Sequence, residues 1–360
     1  MKLTILIFFV FLYSKVYAFN CAELWTKGFP VDGYKESFPC NEYDSVDIPS
    51  GKLRIFYASG ISREDVETLM PMIKKAAVDS HLVYGRFDNL PPSTIIYTGL
   101  KSPKGFNAEV PFFHAEDYEP RPVLVFTNIK TESLEQQQQT IAHEYFHVFQ
   151  SSNFAKSWFE KSAAWWVEGS ADFFSNLVYP KTNREWANAE AYDSDVPLFS
   201  QSSQYSTTAF FQSMSNSWSG TEGVLSLLNN QDKTDSPHSF DGQWKGLSKF
   251  TSIDMHFEKF AKEFSLNKIQ DTGGGYLNTH FVQPLVKAIP EFDSTQNIEV
   301  HSFVVNEYRY KLLMGYRYFV TTHSMDDSNS TFNYLHEGKD KNWQSFYPSY
   351  PAVIDLSCKD

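Results

Sequence analysis

The chain has 360 residues, 42% hydrophobic and 17% aromatic, which excludes a disordered or low-complexity protein and leaves room for one large two-lobed domain or two domains. Net charge is −12, with 31 Lys and Arg against 43 Asp and Glu and no basic cluster, so nucleic acid is excluded as a partner. An acidic surface of this kind favours cationic ligands only weakly.

The first element has the pattern of a secretory signal peptide. Lys2 supplies the charged start, residues 3–13 an apolar stretch, and Val16-Tyr17-Ala18 a small-residue cleavage site. The apolar run falls short of the roughly 20 residues that span a bilayer, and no other segment qualifies. The expectation is a secreted or periplasmic protein cut after Ala18, with no integral membrane segment after cleavage. Three cysteines, Cys21, Cys40 and Cys358, stand at the two ends of the mature chain. Export permits a disulfide, but an odd count leaves one thiol over. Cys21–Cys40 is the local pairing, and either could instead join Cys358. None has C-x-x-C spacing. Asn329-Ser330-Thr331 is a glycosylation sequon, meaningful only in a eukaryotic secretory route.

Residues 52–58 alternate like a strand. Ser62 with Asp65 opens a helix to about Val83 despite Pro71, and 94–97 and 123–127 read as short strands. Ser133 and Gln136 then form a capping box. Behind it Leu134, Ile141, Tyr145, Val148 and Phe149 recur at near-helical spacing, with no Gly or Pro from 131 to 156.

Within that helix lies His143-Glu144-Tyr145-Phe146-His147. Histidines four apart project from one helix face, so both rings can reach one Zn²⁺ at about 2.0–2.1 Å. Glu144, rotated by roughly 100°, cannot join them as a ligand but can reach a water at the metal as general base. A catalytic zinc needs a third protein ligand and an open position. Ser157-Trp158-Phe159-Glu160 has the form of a second capping box, predicting a helix from about 157 to Tyr179, stopped by Pro180. Trp165, Glu168 and Asp172 share one face of it, and Gly169 and Ala171 permit close approach of a neighbour. Glu168 is the proposed third ligand. Asp172, one turn on, is placed to accept the second ring N–H of a ligand histidine.

Helical segments follow at about 204–217, 220–230 and 252–265, before Asp271-Thr272-Gly273-Gly274-Gly275 breaks the pattern. From about 295 the chain becomes β-rich, at 299–305, 308–314, 316–322 and 352–357. The expected organisation is a signal peptide at 1–18, an N-terminal α+β lobe at 19–130, a helical zinc-binding catalytic lobe at 131–290, and a C-terminal β-rich, sandwich-like domain at 295–360.

The H-E-x-x-H motif followed by Glu168 and Asp172 resembles the gluzincin branch of zinc metallopeptidases, the thermolysin-like group, where E-x-x-x-D follows on the next helix. Trp166-Val167-Glu168-Gly169-Ser170-Ala171-Asp172 is similar to a W-x-E-G-x-A segment of secreted bacterial peptidases in that group. The match is sharp over about 133–180 and softer over about 50–265. It implies an α+β zincin-like fold with a helical lower lobe, one catalytic zinc and a peptide or protein substrate. It also implies that the strand before the zinc helix forms the sheet edge over the cleft. The group often supplies a tyrosine or histidine to the oxyanion. Tyr205, opening the segment Tyr205-Ser206-Thr207-Thr208-Ala209-Phe210-Phe211, matches that role, with Tyr192 and His238 as alternatives. Other branches fit poorly. Gln150 and Asn153 stand where metzincins need glycine and histidine, and no G-T-x-D follows. The exopeptidase signature G-x-M-E-N is absent, Gly105-Phe106-Asn107-Ala108-Glu109 having a different order.

The expected function is therefore a secreted zinc-dependent endopeptidase. Two rivals are a zincin scaffold that binds or adheres without turnover, and a zinc hydrolase of a non-protein or cell-wall peptide substrate. Substrate specificity and oligomeric state are not encoded in any motif.

Overall fold

A computed structural model describes residues 40–48, 51–84, 94–97, 99, 108–109, 123–126, 128–154, 160–190, 198–217, 220–235, 238–277 and seven strands between 287 and 359. The leader at 1–18, Cys21, Tyr192 and Asn329 lie outside the described residues.

Five strands form one mixed sheet: β1 (Cys40–Ile48), β2 (Gly51–Ala58), β3 (Thr94–Tyr97), β4 (Ala108–Glu109) and β5 (Val123–Phe126), in the order β1-β2-β3-β5-β4. β2, β3 and β5 run parallel, while β1 and β4 are antiparallel at the two edges. The expected edge strand at 123–127 is thus an inner strand. Two residues, Ala108 and Glu109, pair with Phe126 and Val125 and form that edge instead. A strand of two residues is too short to show a period of two, which is why its pattern is silent in the sequence.

Helix α1 (Arg63–Tyr84) starts as expected, with Ser62 Oγ accepting from Asp65 N at 3.1 Å. Pro71 lies on its exposed face, opposite buried Val66, Leu69, Ile73 and Ala76. Packing of that buried face compensates the hydrogen bond that proline removes.

Helix α2 (Leu134–Asn153) carries the histidine motif. Ser133 Oγ accepts from Gln136 N at 3.3 Å and Ser133 N donates to Gln136 Oε1 at 3.0 Å, the reciprocal capping box. Beyond the cap, stability comes from one aromatic face: Phe146 stacks on Phe149 at 5.2 Å and on Phe174 at 4.8 Å between ring centroids. Phe174 belongs to α3 (Ala164–Val178), so this stack joins the two helices of the site.

The start of α3 differs from expectation. A 3-10 turn at Lys161–Ala163 precedes it, and Glu160 is extended, with φ −80° and ψ 134°. Residues 155–159, with Ser157, lie outside the described residues. The helix begins at Ala164 rather than near 157, and an extended Glu160 does not fit the third helical position of the expected cap. The Glu160 carboxylate instead pairs with His238 Nδ1 at 2.7 Å. The C-terminal end at Val178 agrees with the stop at Pro180.

Further on come α4 (Trp186–Glu190), α5 (Thr208–Ser215), α6 (Gly220–Asp232), α7 (Phe240–Ser248) and α8 (Ile253–Ser265). The pattern at 204–217 predicted one continuous helix. Residues 204–207 form an irregular turn ahead of α5 instead, and Tyr205 sits in it. Phe199 and Phe211 close over Trp165 of α3, with ring centroids at 4.6 and 6.3 Å, so α3 is packed by these rings as well as by α2.

In the C-terminal region β7 (Gln296–Val300), β9 (Arg317–Ser324), β10 (Thr331–Glu337) and β12 (Ala352–Lys359) form an antiparallel sheet ordered β10-β9-β12-β7. A second sheet joins β6 (Lys287–Ile289), β8 (Tyr308–Lys311) and β11 (Trp343–Gln344). Strands β6, β10 and β11 were not anticipated. Among the described residues no helix is long and apolar enough to cross a membrane.

Candidate metal and catalytic site

The helix spacing places three donor atoms together. His143 Nε2 and His147 Nε2 are 3.0 Å apart, and Glu168 Oε2 lies 3.2 Å from the first and 3.5 Å from the second. Donors bound to a tetrahedral ion at about 2.0–2.1 Å are separated by about 3.3–3.4 Å, so these three are spaced to hold one metal ion. They are the group of His, Cys, Asp and Glu that meets this condition among the described residues.

The other ring nitrogens fix which atoms face the centre. His143 Nδ1–H donates to Asp172 Oδ1 at 2.7 Å. His147 Nδ1–H donates to Gln150 Oε1 at 2.6 Å. The Gln150 amide cannot be reversed without loss, because its Nε2 donates to Val167 O at 2.9 Å and to Ser170 Oγ at 2.8 Å. In their neutral form both rings therefore present an Nε2 lone pair inward. Two lone pairs and a carboxylate then converge with no donor between them. That arrangement is repulsive without a positive charge at its centre.

The electrostatics agree. Burial opposes charging of His143, yet Asp172, Glu168 and Glu144 hold its pKa well above the ordinary histidine value. Burial likewise opposes charging of His147, but Glu168 chiefly raises it. For Glu168, burial acts upward, while the two histidines hold its carboxyl well below the usual range. A proton or a metal ion meets the same demand, so the two compete for these rings.

Glu144, next to His143 on the helix, lines a cleft of about 370 Å³ together with His143, Asp172 and Tyr205. Tyr205 lies with its ring centroid 6.4 Å from that of His143. Burial raises its phenol pKa, and the carboxylates of Glu168, Asp172 and Glu144 raise it further, so the hydroxyl keeps its proton. The turn that carries Tyr205 rests against α3 at Gly169. A Cβ at Gly169 would meet Thr207 Oγ1 at 1.8 Å and Gln204 O at 3.0 Å. The missing side chain expected to admit a neighbouring helix thus admits this turn, and Thr207 Oγ1 donates to Trp165 O and Gln204 O there.

No protein-family model matches the chain and no curated protein matches it, so the functional reading rests on this geometry.

Among the expected site residues, His143, Glu144, Asp172 and Tyr205 line one cleft, and His147 and Glu168 join His143 in the donor cluster. His238 does not join them; it is 70% exposed and paired with Glu160. Two contributors carry no motif. Asn188 of α4 donates to the second oxygen of Asp172 at 3.4 Å. Gln150, fully buried, positions two ligands at once, since it bonds both the ring of His147 and the carbonyl preceding Glu168.

Gln150→Leu keeps the volume and removes these bonds. His147 is then free to take the other tautomer, with its proton facing the centre. Metal affinity is expected to drop about 10–100-fold. Competition with a coloured chelator measures this, and an affinity equal to wild type would assign the amide to packing alone.

Proposed function

We propose that the chain is a secreted zinc-dependent endopeptidase built on a zincin-like α+β scaffold. The observation that carries this reading is the inward convergence of two imidazole nitrogens and one carboxylate, with the two rings held from behind by Asp172 and Gln150. Two nitrogens and one oxygen form a donor set suited to catalytic zinc, and three protein ligands leave a position open. The mixed sheet beside α2, with an antiparallel edge, is in keeping with the fold that the gluzincin resemblance implies. The leader read at 1–18 agrees with export.

When bound, zinc supplies Lewis acidity, polarising the scissile carbonyl and lowering the pKa of a water towards neutrality. His143, His147 and Glu168 would hold it, and Asp172 and Gln150 keep the rings in register. Glu144, on the cleft wall and outside the donor set, accepts the proton of the attacking water and returns it to the leaving amine. Tyr205 keeps its hydroxyl proton and donates to the carbonyl oxygen as charge develops there. The presence of Glu144 and Tyr205 in the same cleft favours turnover over a scaffold that only binds. Hydrolysis of an unfolded protein such as casein, abolished by a chelator and restored by zinc, tests the reading. A metal-loaded protein with no hydrolase activity on any peptide would refute it.

Tyr205→Phe retains the ring and removes one donor. Because that bond forms mainly in the transition state, kcat and kcat/KM should fall together by roughly 10²–10³. Zinc content and Tm should stay near wild type. Steady-state kinetics on one peptide decides it, and unchanged kcat would remove Tyr205 from the mechanism.

A further inference from the structure

The cleft continues from His143 along α2 to a second polar end, whose wall includes Gln139, Arg184 and Glu185. Glu185 is only 3% exposed. Gln139 Nε2 donates to its Oε2 and to Thr182 O, so one carboxyl oxygen is held. The other, Oε1, is buried with no hydrogen-bond partner. Burial drives the Glu185 pKa up to about 8, and the charges of Asp172 and Asp271 add to it. A buried carboxylate in this setting is costly unless a cation or donor completes it. Arg184, on the same wall, does not do so: its Nη1 lies 3.4 Å from Thr140 Oγ1 and 3.9 Å from Glu132, and it makes no ion pair with Glu185 among the described residues. With a pKa of about 8 the Glu185 carboxyl on its own holds its proton at neutral pH, and a cation placed beside it favours the ionised form. Glu144 and Asp172 line the same cleft.

Gln139 precedes His143 by four residues, one turn or about 6 Å along the helix. The four-carbon stem of a lysine reaches roughly as far. Resting on the peptidase reading above, we propose that Glu185 is the base of a specificity pocket for the ammonium or guanidinium group of a basic residue flanking the scissile bond. The geometry assigns the pocket one unsatisfied acceptor, buried behind its wall, and the carboxylates of Glu144 and Asp172 against the one guanidinium of Arg184, an arrangement that a cationic side chain satisfies and an apolar one does not.

The test uses Nα-acetylated, C-amidated peptides that differ only in carrying lysine, arginine or norleucine next to the cleaved bond. Norleucine keeps the stem and lacks the charge. In wild type, kcat/KM for lysine should exceed that for norleucine by about 10–100-fold. Glu185→Gln should cut this ratio to within about threefold of unity, and Glu185→Asp should leave an intermediate preference. An equal lysine-to-norleucine ratio in wild type and Glu185→Gln overturns the proposal, as does a preference confined to unblocked peptides, which would assign the pocket to a free α-amine. If wild type cleaves nothing, the peptidase reading fails separately, and calorimetric binding of the same peptides decides the pocket. Lysine-selective binding lost in Glu185→Gln supports it, and binding without selectivity overturns it.

Discussion

Glu144→Gln is expected to abolish peptide hydrolysis while the protein stays folded and metal-loaded. Gln replaces Glu without a change of volume, and Glu144 contributes no donor to the three-atom cluster formed by His143, His147 and Glu168. On the proposed mechanism the change removes the group that takes the proton from water, a side chain on the cleft wall. General-base catalysis contributes typically 10²–10⁴-fold, so kcat should fall by at least about 10². The neighbouring charge of Glu144 also favours positive charge on His143, so a small loss of metal affinity accompanies the change. Single-turnover hydrolysis at matched zinc occupancy measures the effect. A variant as fast as wild type would show that the proton goes elsewhere.

His147→Ala has the second large effect, on metal and fold together. It removes one of three donors and the N–H that Gln150 Oε1 accepts at 2.6 Å. Loss of that buried hydrogen bond and of the ring's packing should lower Tm as well. Structural zinc sites are worth roughly 10–16 kcal/mol shared among their ligands. Loss of one ligand should then weaken binding by on the order of 10²–10³-fold. His238→Ala is the control, because that ring is 70% exposed and pairs with Glu160, away from the donor cluster. Its zinc content should equal wild type, and full zinc occupancy in His147→Ala would remove His147 from the ligand set.

Much of this site was legible in the sequence because its parts are local and periodic. The Ser133–Gln136 cap announces α2, and four-residue spacing puts both histidines on one face. The same spacing on α3 puts Asp172 one turn beyond Glu168, where it meets His143 Nδ1. What stayed hidden depends on contacts between segments far apart in the chain. Gln150 is an ordinary amide within a helix until Val167 and Ser170 orient it. Glu185 belongs to an irregular segment with no period, and only the fold brings it beneath Gln139. The reading of Ser157–Glu160 as a cap went astray because a capping-box string is equally compatible with an extended residue that finds a distant partner, here His238. The edge strand Ala108–Glu109 was missed because pairing with β5, not its own pattern, defines it.

Zinc K-edge X-ray absorption on the purified protein tests the central claim most directly. The account predicts one zinc per chain, a first shell of nitrogen and oxygen only at about 2.0–2.1 Å, and the scattering signature of two imidazoles. A sulfur shell near 2.3 Å, pointing to the cysteines, or a chain that takes up no zinc would contradict it.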